Sequence, residues 1–131
     1  IDDIEKKMRR FIDKKMMLNF WGDYWGKIPG DIQERIESRI KERLRRQPYE
    51  KDNFQKGKDR INFCDIMDYF QIIQSYWNLF QNYFGSRAEL QKHFKDYRNG
   101  LMHVREMNRI ERKQGEASVE WLLKILDKKI K

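Results

Sequence analysis

Three polar side chains that can act on a phosphate lie within the six residues "RNGLMH", residues 98–103. Histidine titrates near neutral pH and can donate or accept a proton, and arginine grips phosphate oxygens with a permanent charge. On a helix, Asn99 and His103 share a face because they are four residues apart, and the long side chain of Arg98 can reach round to it. Gly100 costs a helix about 1 kcal/mol relative to alanine. A local penalty beside polar groups is typical of a functional site.

The same six residues resemble the Arg-polar-x-x-x-His motif of the HEPN superfamily (higher eukaryote and prokaryote nucleotide-binding domains). The resemblance covers this motif and, more loosely, the helical layout of the whole chain. It implies a helical bundle with the motif on a late helix. It also implies a metal-independent endoribonuclease whose two motifs face each other across a homodimer cleft. A toxin or antiviral-defence setting follows from the same resemblance, with an antitoxin or additional domains as partners.

The residue types suit this chemistry. RNA can be cut without a metal or cofactor when its own 2′-hydroxyl attacks the adjacent phosphate. That reaction needs a proton acceptor, a proton donor for the leaving oxygen and positive charge at the phosphorus. We assign His103 to general acid and base catalysis, Arg98 to the transition-state charge and Asn99 to positioning. Because one His–Arg pair is a sparse site, the hypothesis requires a second copy of the chain.

Basic residues continue beyond the motif on the same predicted helix. Arg105, Arg109 and Arg112 are candidates for binding the RNA backbone. Tyr97 is a further candidate, although packing in the core is the simpler interpretation of its position. His93 lies outside the motif, and we interpret it as a surface or supporting residue.

A second group of cations ends the second predicted helix: Arg39, Arg43, Arg45 and Arg46. Cations at the carboxyl end of a helix suit its dipole, so one interpretation is an ordinary solvated face. The other interpretation is a patch that contacts phosphates. The pattern alone does not separate the two.

Composition bounds the class of protein. The chain has 131 residues, enough for one domain with a core, and its net charge of +8 favours a polyanionic partner, nucleic acid first. Its one cysteine, Cys64, excludes an internal disulfide and is expected to be a buried thiol in a reducing, cytoplasmic compartment. No apolar run approaches the roughly 20 residues of a membrane span, and no signal peptide is seen. Because the chain begins with Ile1, it is expected to be a fragment of a longer protein.

Apolar residues recur every three or four positions throughout, and no segment alternates like a strand. The predicted helices cover residues 1–20, 31–48, 61–85, 86–115 and 116–130. Two of them begin with capping boxes, Asp31 with Glu34 and Ser86 with Glu89, and Gly115 is expected to end the fourth. The fold class is therefore all-α, an up-and-down bundle of four to five helices in a single HEPN-like domain over residues 1–131.

Two segments between the predicted helices are expected to be loops. The first, "WGDYWGKIPGD", carries three aromatic residues, Trp21, Tyr24 and Trp25. Their simplest role is a plug that closes one end of the core, and a platform for stacking bases is the alternative. The second, residues 49–60, is polar and contains Gly57, so it is expected to be a mobile loop.

Two rivals to the ribonuclease hypothesis follow from the sequence. The first is a HEPN-like module without catalysis that binds RNA, a nucleotide or a partner protein. The second is a DNA-contacting or general interaction module in which the motif is a coincidence. Loss of cleavage on replacing His103 separates the enzyme from both.

Overall fold

The computed structural model describes the backbone of residues 2–54, 57–102 and 108–129, and the side chains of residues 4–54, 59–99 and 108–127. Within these residues the structure has no strand, which confirms the all-α class. Its α-helices are α1 (Asp2–Phe20), α2 (Gly30–Arg46), α3 (Gly57–Arg60), α4 (Ile66–Ser75), α5 (Trp77–Phe84), α6 (Arg87–Met102) and α7 (Arg109–Lys129). Short 3-10 helices cover Trp25–Lys27, Pro48–Phe54 and Ile61–Phe63.

By its packing the chain divides into two units. The middle unit is Met8–Ser75, and the terminal unit joins Ile1–Lys7 to Tyr76–Lys131. In the terminal unit, α6 packs against α7 and α5 contacts both helices. The Lys7 ammonium reaches the carboxylate of Asp127 at 2.7 Å, which ties the start of the chain to α7.

The middle unit is built on the apolar stripes of α1 and α2. The stripe of α1 is buried at Met8, Phe11, Ile12 and Met16, as its spacing predicts. The stripe of α2 is buried at Ile32, Ile36 and Ile40, and Leu44 is half-buried. The two predictions of amphipathic helices are therefore confirmed.

The predicted capping box of α2 is wrong. The helix begins at Gly30, directly after Pro29, and no side chain caps it. Asp31 already lies in the first turn, and both of its carboxylate oxygens accept hydrogen bonds from the amide of Gln71 on α4, at 3.0 and 3.1 Å. These bonds lower the pKa of Asp31 below its ordinary value. The sequence pattern assigned this carboxylate to a helix cap, but it instead accepts hydrogen bonds from a residue of another helix.

The long central helix predicted over residues 61–85 is interrupted. It is divided into a 3-10 helix, α4 and α5, with a break at Tyr76, whose φ is −116° and ψ is 43°. The break coincides with the boundary between the units, so α4 belongs to the middle unit and α5 to the terminal unit. Apolar spacing continues across the break, and for that reason periodicity did not detect it.

The start of α6 agrees with the sequence, but a break at Asn108 divides the helix predicted over residues 86–115. The Glu89 amide donates to the Ser86 hydroxyl at 3.1 Å, which confirms the predicted cap. A new helix starts at Arg109, capped by Asn108, whose side-chain oxygen accepts from the Glu111 amide at 2.8 Å. Gly115 is buried inside α7, so the prediction that it ends a helix is wrong.

Each of the two predicted loops differs from expectation in part. Tyr24 and Trp25 are buried, and the Tyr24 hydroxyl donates to Asp13 at 2.5 Å, so these two residues close the core as predicted. Trp21 is 93% exposed with a φ of 57°, so its place in the plug is wrong. The segment expected to be a mobile loop contains the 3-10 helix Pro48–Phe54 and the short α3.

Candidate functional site

The motif begins on the solvent-facing side of α6. Arg98 and Asn99 are both exposed, and the side chain of neither forms a hydrogen bond or ion pair with another residue whose side chain is described. Tyr97, one position earlier, is 2% exposed and shares the buried face of α6 with Leu90 and Phe94. One face of α6 is therefore packed, and the two polar motif residues lie on the other face. Their hydrogen-bonding groups are available to a ligand.

Burial decides between the two interpretations of Tyr97. A side chain with 2% exposure packs in the core of the terminal unit. Its assignment to the RNA backbone is corrected accordingly, because a phosphate cannot reach a side chain enclosed by its neighbours. His103 and Arg105 lie outside the described residues, as do the side chains of residues 100–102.

Arg109 and Arg112 lie in the first turn of α7, three residues apart, and both are exposed. Cations are disfavoured at the amino end of a helix because the helix dipole is positive there. Two arginines at this position therefore do not serve the stability of α7. A bound anion would benefit from both the arginines and the helix end.

His93 is held by α7. Its ring stacks on Trp121 with centroids 4.1 Å apart and planes 16° apart, and its Nδ1 lies 2.9 Å from the hydroxyl of Ser118, which is 1% exposed. Partial burial, with a smaller effect from Lys92, lowers the pKa of His93 below its ordinary value. These contacts commit the His93 ring to packing against α7.

The lowered pKa of His93 predicts a dependence of stability on pH. The unfolded chain binds a proton at His93 at a higher pH than the folded chain does, so stability falls as pH drops through the ordinary histidine pKa of about 6.5. This loss of stability is complete once the pH is below the pKa that His93 has in the folded chain. We expect the urea midpoint to decrease between pH 7.5 and pH 5.5, and the decrease to be smaller in His93→Gln. His103→Gln is the matched control, and an equal decrease in both variants would contradict this assignment.

The arginines at the end of α2 border an open groove of about 510 Å³ in the middle unit. Phe63, from the 3-10 helix before α4, lines it together with six residues of α2: Arg35, Ser38, Arg39, Glu42, Arg43 and Arg46. Arg45 does not line it and is paired with Glu42 at 2.6 Å. The sequence identified the cluster of cations, but only the packing of Phe63 against α2 makes it a groove.

Cys64 is buried, as predicted. Burial raises the pKa of its thiol to about 12, so the reactive thiolate is scarce at neutral pH. Within the described residues, no three or more histidine, cysteine or acidic side chains are grouped as metal ligands, and no helix is long and apolar enough to cross a bilayer.

Comparison with protein-family models, with curated proteins and with solved structures finds no match for this chain. The HEPN resemblance accordingly depends on the six-residue motif and on the helical layout of the chain.

Proposed function

We propose that the protein is a metal-independent endoribonuclease of the HEPN type that acts as a homodimer. The observation that carries the proposal is the exposure of Arg98 and Asn99 on α6, inside an Arg-Asn-x-x-x-His sequence, beside the buried Tyr97. Exposure is what a phosphate-binding arginine requires, because a guanidinium enclosed in the core could not reach a substrate.

The reaction divides among three residues. One imidazole removes the proton from the 2′-hydroxyl, whose oxygen then attacks the adjacent phosphorus. The bond from phosphorus to the 5′-oxygen breaks, and a protonated imidazole supplies that oxygen with its proton. His103 is the histidine of this step, Arg98 stabilises the charge on the phosphorane, and Asn99 orients the imidazole or the phosphate.

A dimer follows from the count of histidines. The reaction uses an acid and a base, and the chain has two histidines, of which His93 is committed to Ser118 and Trp121. A second copy would supply the second imidazole from its own His103. Arg109 and Arg112, exposed at the start of α7, are suited to hold the RNA backbone.

The resemblance extends the proposal to a biological setting. Metal-independent RNA cleavage in this superfamily is associated with toxins and antiviral defence. An antitoxin or further domains of a longer chain would then restrain the activity, and the cytoplasm is the compartment where its RNA targets occur.

The direct test is incubation of the purified protein with RNA in EDTA. We expect fragments that end in a 2′,3′-cyclic phosphate and a 5′-hydroxyl, and no cleavage at a position that carries a 2′-deoxyribose, because the nucleophile is then missing. Cleavage of the 2′-deoxy position, or products with a 3′-hydroxyl, would show a different reaction. A solution mass of one chain during turnover would refute the homodimer.

A second candidate function is an RNA-binding module that does not cut. The commitment of His93 to packing favours it, because a single remaining histidine per chain is a sparse catalytic set. This candidate predicts saturable RNA binding that Arg98→Ala weakens, with the RNA recovered intact. Fragments in EDTA would exclude it.

A further inference from the structure

The groove of the middle unit has features that the motif on α6 does not explain. Arg39 and Arg43 are four residues apart and Arg46 follows three residues later, so the three side chains lie along one side of α2. The helix rises about 1.5 Å per residue, which separates them by about 6 and 4.5 Å along the axis. Such a row can follow the successive phosphates of one nucleic-acid strand.

Charge accumulates at this end of α2. Residues 39–46 contain five basic side chains and one acidic side chain, Glu42. Glu42 reaches Arg45 at 2.6 Å and Arg46 at 4.0 Å, and it neutralises a single unit of the positive charge. The side chain of Arg46 is 73% exposed. This segment therefore keeps a positive surplus at the surface.

Neighbouring groups orient the arginines without covering them. Arg43 donates to both carboxylate oxygens of Glu50, at 2.8 and 3.2 Å, and its side chain remains 46% exposed. Arg39 donates to the carbonyl oxygen of Phe63 at 3.0 Å and forms no ion pair with a described carboxylate. A guanidinium has five N–H donors, so each keeps donors for a phosphate.

Aromatic residues accompany the cations. Phe63 lines the groove and is held by Phe54, with ring centroids 5.2 Å apart and planes 73° apart. Tyr49, three residues beyond α2, is 81% exposed. Cations that track a backbone beside aromatic rings that accept bases are the usual components of a single-strand binding surface.

We propose that this groove, which we call the α2 groove, binds a single strand of nucleic acid through its phosphates, with Tyr49 stacking on a base. The site is formed within the middle unit and does not include the α6 motif. The proposal goes beyond the proposed catalytic function and does not require that the RNA be cut.

The test measures binding of a fluorescein-labelled single-stranded RNA of about ten nucleotides. Fluorescence anisotropy is recorded in a His103→Ala background so that cleavage does not interfere. We expect Arg39→Gln with Arg46→Gln to weaken binding about 10-fold. The slope of log affinity against log salt should become shallower by about 1.4, because each lost phosphate contact contributes about 0.7 for a single strand.

The matched control removes the same charge elsewhere. Arg10 and Lys14 are exposed on α1 of the same unit and do not line the groove, so Arg10→Gln with Lys14→Gln is expected to change affinity less than about 2-fold at physiological salt. Equal losses in the two double variants would overturn the proposal in favour of a non-specific effect of net charge. Urea denaturation of each variant verifies that the fold is kept.

Tyr49→Ala separates stacking from charge. We expect about 5-fold weaker binding with an unchanged salt slope, since stacking on one base contributes about 1 kcal/mol or more. Unchanged affinity for RNA in all these variants overturns the proposal. So does binding of phosphatidylserine vesicles or an acidic peptide in place of RNA. Absence of RNA cleavage refutes only the catalytic proposal, because groove binding is measured without turnover.

Discussion

His103→Ala is expected to reduce metal-independent RNA cleavage at least about 100-fold, because general acid–base catalysis by a positioned side chain contributes about 10²- to 10⁴-fold. The measurement is the single-turnover rate on a labelled RNA in EDTA, at protein concentrations above the Kd. Under these conditions a change in RNA affinity does not alter the rate. The remaining rate reports chemistry without the imidazole.

The chain contains its own control for this experiment. His93→Gln removes the other histidine, which packs on Trp121 and does not belong to the motif. We expect His93→Gln to retain most of the cleavage rate at neutral pH. If both histidine variants lose activity to the same degree, the assignment of His103 fails. If neither does, the observed cleavage comes from a contaminating nuclease or from a different site.

Asp68→Ala is expected to destabilise the middle unit by about 3 kcal/mol. Asp68 is 2% exposed, and it forms an ion pair with Arg35 on α2. Its second oxygen accepts the Asp65 amide at 3.0 Å at the start of α4. The charged hydrogen bond to Arg35 contributes about 1.5–3 kcal/mol to the free energy of unfolding, and the cap contributes about 1 kcal/mol. Urea denaturation monitored by circular dichroism measures the loss.

Asp65→Ala is the matched control because the two aspartates form one reciprocal cap. The side chain of Asp65 accepts the Asp68 amide at 3.0 Å, but Asp65 is exposed. We expect the free energy of unfolding of this variant to decrease by about 1 kcal/mol, the usual contribution of a single cap. Equal losses from the two variants would mean that the ion pair to Arg35 adds nothing beyond the cap.

The amphipathic helices were predictable because each depends on residues close together in the chain. The stripe of α2 at Ile32, Ile36 and Ile40 follows from a spacing of four, and the Ser86 cap needs only the next turn of α6. The predictions that failed concern residues that have more than one possible partner or position. Asp31 binds Gln71 on α4 in place of capping its own helix, and Asn108 starts the last helix ahead of Gly115.

For the candidate sites, the sequence identified which residue types are present, and the structure showed which of them are buried, exposed or grouped together. The sequence by itself determined the helical class, the motif of Arg98, Asn99 and His103, and the cluster of arginines on α2, since these depend on residue type and helical spacing. Only the tertiary structure decided that Tyr97 is buried while Arg98 is exposed, and that Phe63 closes a groove beside Arg39. Burial and groove formation depend on residues far apart in the chain, and their packing is not encoded in any local pattern.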